Sequence, residues 1–113
     1  MYTVMRKYDL IPGTIEEFIR QVQESLVPTI NQVPGFREYL LVQVGGNEVV
    51  IISIFDSLAD AKVSARQTAV WVAEHTEVFL QGSFKAEAGE VRVHSARVRM
   101  PQTGGQEQLQ GVF

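Results

Sequence analysis

Residues 36–56, Phe36-Arg37-Glu38-Tyr39-Leu40-Leu41-Val42-Gln43-Val44-Gly45-Gly46-Asn47-Glu48-Val49-Val50-Ile51-Ile52-Ser53-Ile54-Phe55-Asp56, read as two strands joined by a tight turn at Gly45-Gly46-Asn47. Side chains alternate along a strand, so Val49, Ile51 and Phe55 share one face of the second strand while Val50, Ile52 and Ile54 share the other. On the first strand the same alternation sets Phe36, Leu40, Val42 and Val44 against Tyr39 and Leu41. A strand wet on one side alternates apolar with polar residues; one that is apolar on both faces is covered on both. A chain of 113 residues is too short to supply two covering layers. The expectation is that a second copy of the same chain covers one face.

The rest of the composition fits one modest domain, which at this length hides roughly 60–70 % of its unfolded surface. The formal charge is −3, with Lys and Arg scattered, which gives no electrostatic footprint for nucleic acid or an anionic membrane. There are no cysteines, hence no disulfide framework and no thiolate metal site. The segment Met1-Tyr2-Thr3-Val4-Met5-Arg6-Lys7 lacks a signal layout. No apolar run approaches the ~18 residues of a membrane span. A cytoplasmic address, with neither nucleic acid nor membrane as partner, is expected.

Upstream of the hairpin, Tyr2 to Leu10 alternates as a strand, with Tyr2, Val4, Tyr8 and Leu10 opposite Met5, and Pro12-Gly13 ends it. Thr14 and Glu17 have the spacing of a capping box. Behind them Ile15, Phe18, Ile19, Val22, Leu26 and Ile30 form a helical apolar stripe that Pro28 interrupts and Pro34-Gly35 terminates. Downstream, Ser57 caps a second helix with Asp60 in its first turn. Its stripe is Leu58, Ala61, Ala65, Thr68, Ala69, Val72 and Phe79, small in the middle. Gly89 to Ser95 predicts a last strand with Val91 and Val93 on one face and Arg92 and His94 on the other. The order is βαββαβ, an α+β ferredoxin-like fold with an antiparallel sheet. Domain boundaries fall at 1–96, with 97–113, rich in Gly and Gln, as a C-terminal extension that is loose or docked on a partner subunit.

Pro12-Gly13 before a capped helix, Val33-Pro34-Gly35-Phe36 before the hairpin, and Phe55-Asp56-Ser57 entering a small-residue helix with Trp71 together resemble the dimeric α+β barrel superfamily. Within it the chain is most similar to the antibiotic biosynthesis monooxygenase domain, over about residues 2–95. The resemblance implies a homodimer whose two sheets pack face to face, and a pocket between helices and sheet. It implies a cofactor-independent monooxygenase acting on a small aromatic, quinol-type substrate. The alternative is a non-catalytic dimeric domain that binds a small aromatic or apolar metabolite; haem binding and degradation come third, because fold alone does not choose among chemistries.

Three residues share one face of the second helix at four-residue spacing: Gln67, Trp71 and His75. The resemblance makes Trp71 the wall of an aromatic site, whereas a lone Trp in an amphipathic helix also serves as core packing. Gln67 can hold a substrate carbonyl, although the family's quinol oxygenases carry the shorter Asn there. His75 can serve as a general base, as histidine commonly does, or is an exposed residue between Glu74 and Glu77. Arg92 completes the catalytic set if its face of the last strand meets the cavity. Tyr8, Tyr39 and Phe55 are expected to line the substrate pocket, and Arg6 and the tyrosines need hydrogen-bond partners wherever they are buried. Haem-degrading members pair a first-strand Asn with a His about ten positions beyond the Trp; here Arg6, Lys7 and Gln81 stand instead. His75 and His94, far apart and without cysteines, make no metal site. No cofactor and no metal are expected. Asp9-Leu10-Ile11-Pro12-Gly13 has a fainter similarity to the ACT domain, and the aliphatic third strand excludes an RNA-binding sheet.

Overall fold

A computed structural model describes residues 1–97. Its elements are strand β1 (Tyr2–Asp9), helix α1 (Ile15–Gln21), a π-helical turn (Val22–Leu26), helix α2 (Val27–Ile30), strands β2 (Phe36–Val44) and β3 (Glu48–Phe55), helix α3 (Leu58–His75), a 3₁₀ turn (Glu77–Phe79) and strand β4 (Lys85–Glu90). The four strands form one antiparallel sheet in the order β2-β3-β1-β4. This is the ferredoxin-like α+β arrangement. The extension expected over 97–113 lies, from residue 98 on, outside the described residues.

The hairpin registers Leu40 with Ile52 and Leu41 with Ile51 across a turn in which Gly45 has φ +66°. Residues directly opposite each other lie on the same face. One face of the sheet therefore carries Val49, Ile51, Ser53 and Phe55 of β3, all buried, with Val4, Arg6 and Tyr8 of β1. The helices cover this face, and Phe18, Val22, Leu26 and Ile30 pack on it from the first helical segment. The other face carries Met5, Leu40, Val42, Val44, Val50, Ile52 and Ile54, with Lys7 and Glu38 among them; no described helix packs on it, and at one end His94, past β4, meets Glu38 at 3.5 Å. Leu40, Val42 and Val44 keep 45, 43 and 43 % of their surface.

Several local expectations change. Phe36 lies on the covered face, opposite Phe55 at 5.9 Å between ring centroids, and not with Leu40. A bulge between Phe36 and Glu38 inserts one residue and reverses the alternation at the start of β2. Thr14 and Glu17 form no capping box. The Thr14 backbone is already helical (φ −107°, ψ −2°), its hydroxyl donates to the Ile11 carbonyl at 2.6 Å, and Glu17 turns to Arg20 and Gln21. Ser57, extended at φ −138° and ψ 161°, does cap α3 by accepting the Asp60 N–H at 3.1 Å.

The buried line of α3 is Ala61, Ser64, Thr68, Trp71 and Val72, whereas Leu58 and Ala69 are exposed. The helix is rolled so that the large indole, and not the alanines alone, faces inward. The last strand also moves. It pairs Lys85 to Glu90 with Lys7 to Tyr2, and the Val91 N–H reaches the Met1 carbonyl at 2.8 Å. Val91 to Ser95 form no strand, and Val93 is 87 % exposed.

Candidate functional site

Pro28 has no N–H to give the carbonyl four residues back, so a regular α-helix cannot pass through residues 22–28 unchanged. The chain answers with the π turn, in which the Val27 N–H bonds the Val22 carbonyl five residues behind. Ser25 sits in that widened turn, and its hydroxyl accepts the Trp71 Nε1–H from α3 at 2.8 Å. The indole is 6 % exposed, and its only polar atom is thereby satisfied.

Around this bond runs a groove between the π turn and α3, with a volume of about 490 Å³, lined by Ser25, Thr29, Gln67, Val70, Trp71 and His75 and flanked by Arg66 and Glu74. The size is within the ~300–1,000 Å³ of small-molecule sites. The His75 ring stacks on the indole, with centroids 5.2 Å apart and planes at 14°. Its Nδ1 lies 3.1 Å from the Trp71 carbonyl. A carbonyl only accepts, so in the neutral ring Nδ1 carries the hydrogen and Nε2 keeps a free lone pair. The arrangement offers a flat aromatic wall, an amide and a proton acceptor along one helix face.

The other expected site residues stand elsewhere. Tyr8 and Phe55 are packed inside, at 1 and 0 % exposure. Tyr39 is half-buried on the same sheet face, and its hydroxyl is a buried polar atom without a hydrogen-bond partner among the described residues. Burial pushes the Tyr8 hydroxyl above its ordinary pKa, opposed by Arg6. Burial raises Tyr39 further, with Tyr8 adding and Arg6 opposing. Arg92 lies past the end of β4, exposed, and does not line the groove. Gln67, Trp71 and His75 are therefore brought together, and Tyr8, Tyr39 and Phe55 share the sheet face beneath.

Two contributors stand outside the motifs read from the sequence. Ser25 is a polar residue embedded in the apolar stripe between Val22 and Leu26, a signal visible in the sequence. Phe84 follows the Gly82 turn and lies against Tyr8 at 5.3 Å and over the Arg6 guanidinium at 5.6 Å. Nothing in its local pattern marks it. Among the described residues no group of three His, Cys, Asp or Glu side chains is placed to hold a metal ion, and no helix is long and apolar enough to cross a membrane.

A family model described as antibiotic biosynthesis monooxygenase matches residues 1–77. Among solved structures, the chain is similar to a monooxygenase from the gene ActVA-Orf6 of Streptomyces coelicolor in complex with nanaomycin D. The identity is 18 %, the TM-score 0.69, and 86 % of this chain and 92 % of that one are covered. It is similar to SnoaB, a cofactor-independent oxygenase from Streptomyces nogalater, at 14 % identity and TM-score 0.66, covering 82 and 94 %. A third is MhuD carrying two manganese protoporphyrin IX per active site, at 15 % identity and TM-score 0.68, covering 85 and 99 %. At these identities the likeness establishes the fold. No curated protein matches the sequence.

Proposed function

The chain belongs to the antibiotic biosynthesis monooxygenase family, and from that premise we propose that it oxygenates a small phenol or quinol in the groove between the π turn and α3, with no bound cofactor. The observation that carries the reading is the Trp71 indole pinned to Ser25 and stacked with His75 at the floor of that groove. The substrate ring lies along this stack, and the Gln67 amide holds a ring carbonyl or hydroxyl. His75 Nε2 takes the phenolic proton, which makes the ring an electron donor to oxygen. A phenol with a free para carbon then becomes a quinone. One atom of O₂ enters that carbon, the other leaves as water, and the four electrons come from the substrate.

The same reading includes a homodimer in which the exposed sheet face meets its copy, as the unpaired Leu40, Val42 and Val44 suggest. A large contiguous apolar face is rarely left wet. The protein should sediment as a dimer, and a stable monomer would sink this half.

The catalytic half is tested by oxygen uptake across a panel of phenols and quinols without added cofactor, using ¹⁸O₂ to trace the inserted atom. His75→Gln should lose on the order of 10²-fold in kcat, the scale of a removed general base. Binding of the panel without turnover would instead favour a metabolite-binding domain.

A further inference from the structure

Among the described residues, Arg6 is the one charged side chain that the fold buries, at 7 % exposure. A buried guanidinium is costly unless a carboxylate balances it. Arg6 enters no ion pair among the described residues; the ion pairs there belong to Lys7, Arg20, Arg37 and His94. Its Nη1 donates to the Tyr8 hydroxyl at 3.3 Å and its Nη2 to the Ala65 carbonyl at 3.1 Å, while Phe84 covers it from one side. Two of its five N–H groups are thus engaged, by neutral acceptors alone.

On another side Arg6 borders a recess of about 190 Å³ between α3 and the β1–β4 edge. This lies on a different side of α3 from the Trp71 groove, and no lining residue is shared. Its walls are apolar, Val4 and Leu58 with the short Ala61, Ala65, Ala86 and Ala88. Lys62 adds a second positive charge at the rim, and the one carboxylate there, Glu87, is exposed on β4, where water screens it. The volume compares with the ~150 Å³ cavity that holds benzene.

We propose that this recess is a second ligand site, which takes a small carboxylate with an apolar body of about one ring, its carboxylate on Arg6 and its body against the alanines. The guanidinium fork matches a carboxylate with two parallel hydrogen bonds, which no neutral isostere reproduces. The small side chains leave the space that the body fills. A dianionic phosphate would find too few donors and too much hydrocarbon here. The site stands apart from the oxygenase reading and does not require it.

The test titrates benzoate, benzamide and benzylamine into the whole protein while following backbone amide shifts. Benzoate should saturate, with shifts centred on Arg6, Ala65 and Ala86. Benzamide should bind on the order of tenfold more weakly or worse, because it forfeits the charge-assisted hydrogen bonds, and benzylamine should not bind. Arg6→Met should abolish the preference for benzoate, with the Trp71 groove signals unmoved. Equal binding of benzoate and benzamide, shifts that map elsewhere, or no benzoate binding at millimolar concentration would overturn the proposal. The benzoate-to-benzamide ratio is read on the unmutated protein, so it decides the matter even where Arg6→Met folds poorly.

Discussion

The two faces of the sheet depart from the usual distribution of residues in opposite ways. The face covered by helices is built on Val4, Val49, Ile51 and Phe55 but also encloses the Arg6 guanidinium and the Tyr39 hydroxyl, which has no partner among the described residues. The face the protomer leaves open holds Met5, Leu40, Val42, Val44, Val50, Ile52 and Ile54. Hydrophobic burial alone would neither enclose Arg6 nor leave Leu40, Val42 and Val44 more than two-fifths exposed. The difference is what the proposed dimer would account for: a second copy would cover the apolar face, while the polar atoms inside are kept at some cost in stability.

Adjacent residues of β3 give the sharpest way to break this comparison. Ile52 points to the open face and Ile51, 3 % exposed, to the covered one. Ile52→Asp should place an unpaired charge from each subunit at the contact, about 3–5 kcal/mol per buried charge. Sedimentation should then report monomers at concentrations where the unmutated protein is a dimer. An unchanged dimer would move the interface elsewhere. Ile51→Ala, in contrast, should cost about 2–5 kcal/mol of core packing whichever oligomer forms. Urea denaturation over a range of protein concentrations separates the two, because only the Ile52 variant should remove the concentration dependence of the midpoint.

How much of this is legible in the sequence depends on the range of the interaction. The two-faced hairpin and the Gln67-Trp71-His75 alignment follow from periodicities inside one element, and both can be read directly. Phe36 cannot, because the bulge that reverses it is a property of the β2–β3 pairing and leaves no mark on composition. The final strand misleads for a related reason. Val91 and Val93 alternate as a strand should, but Lys85-Ala86-Glu87-Ala88-Gly89-Glu90 is what faces β1, and pairing overrides propensity. The Thr14–Glu17 spacing is equally suggestive, yet the Thr14 backbone is already helical. The indole's partner, Ser25, lies 46 positions away and needs the fold to bring it near. Arg6 is visible as a charge on a strand, but that no carboxylate among the described residues pairs with it depends on what the helices bring to it.

The smallest effect tests the cost assigned to the covered face. Tyr39 carries a hydroxyl out of reach of water and without a partner among the described residues, so Tyr39→Phe removes an unsatisfied group and leaves the ring in place. Stability should stay level or rise by about 1 kcal/mol, where deletion of a hydrogen-bonded tyrosine would lower it. Its pH dependence carries the same information. Burial raises the folded pKa above the unfolded value of ~10, so the folded chain holds this proton more tightly than the unfolded one. That contribution is fully present below pH ~10 and is lost progressively as the pH rises through the folded pKa. Chemical denaturation above pH ~10 should therefore show a steeper loss for the unmutated protein than for Tyr39→Phe, with Tyr8 titrating in both. Parallel slopes would mean that water reaches the Tyr39 hydroxyl in the folded chain, and the covered face would then be less strained by its polar groups than its contrast with the open face implies.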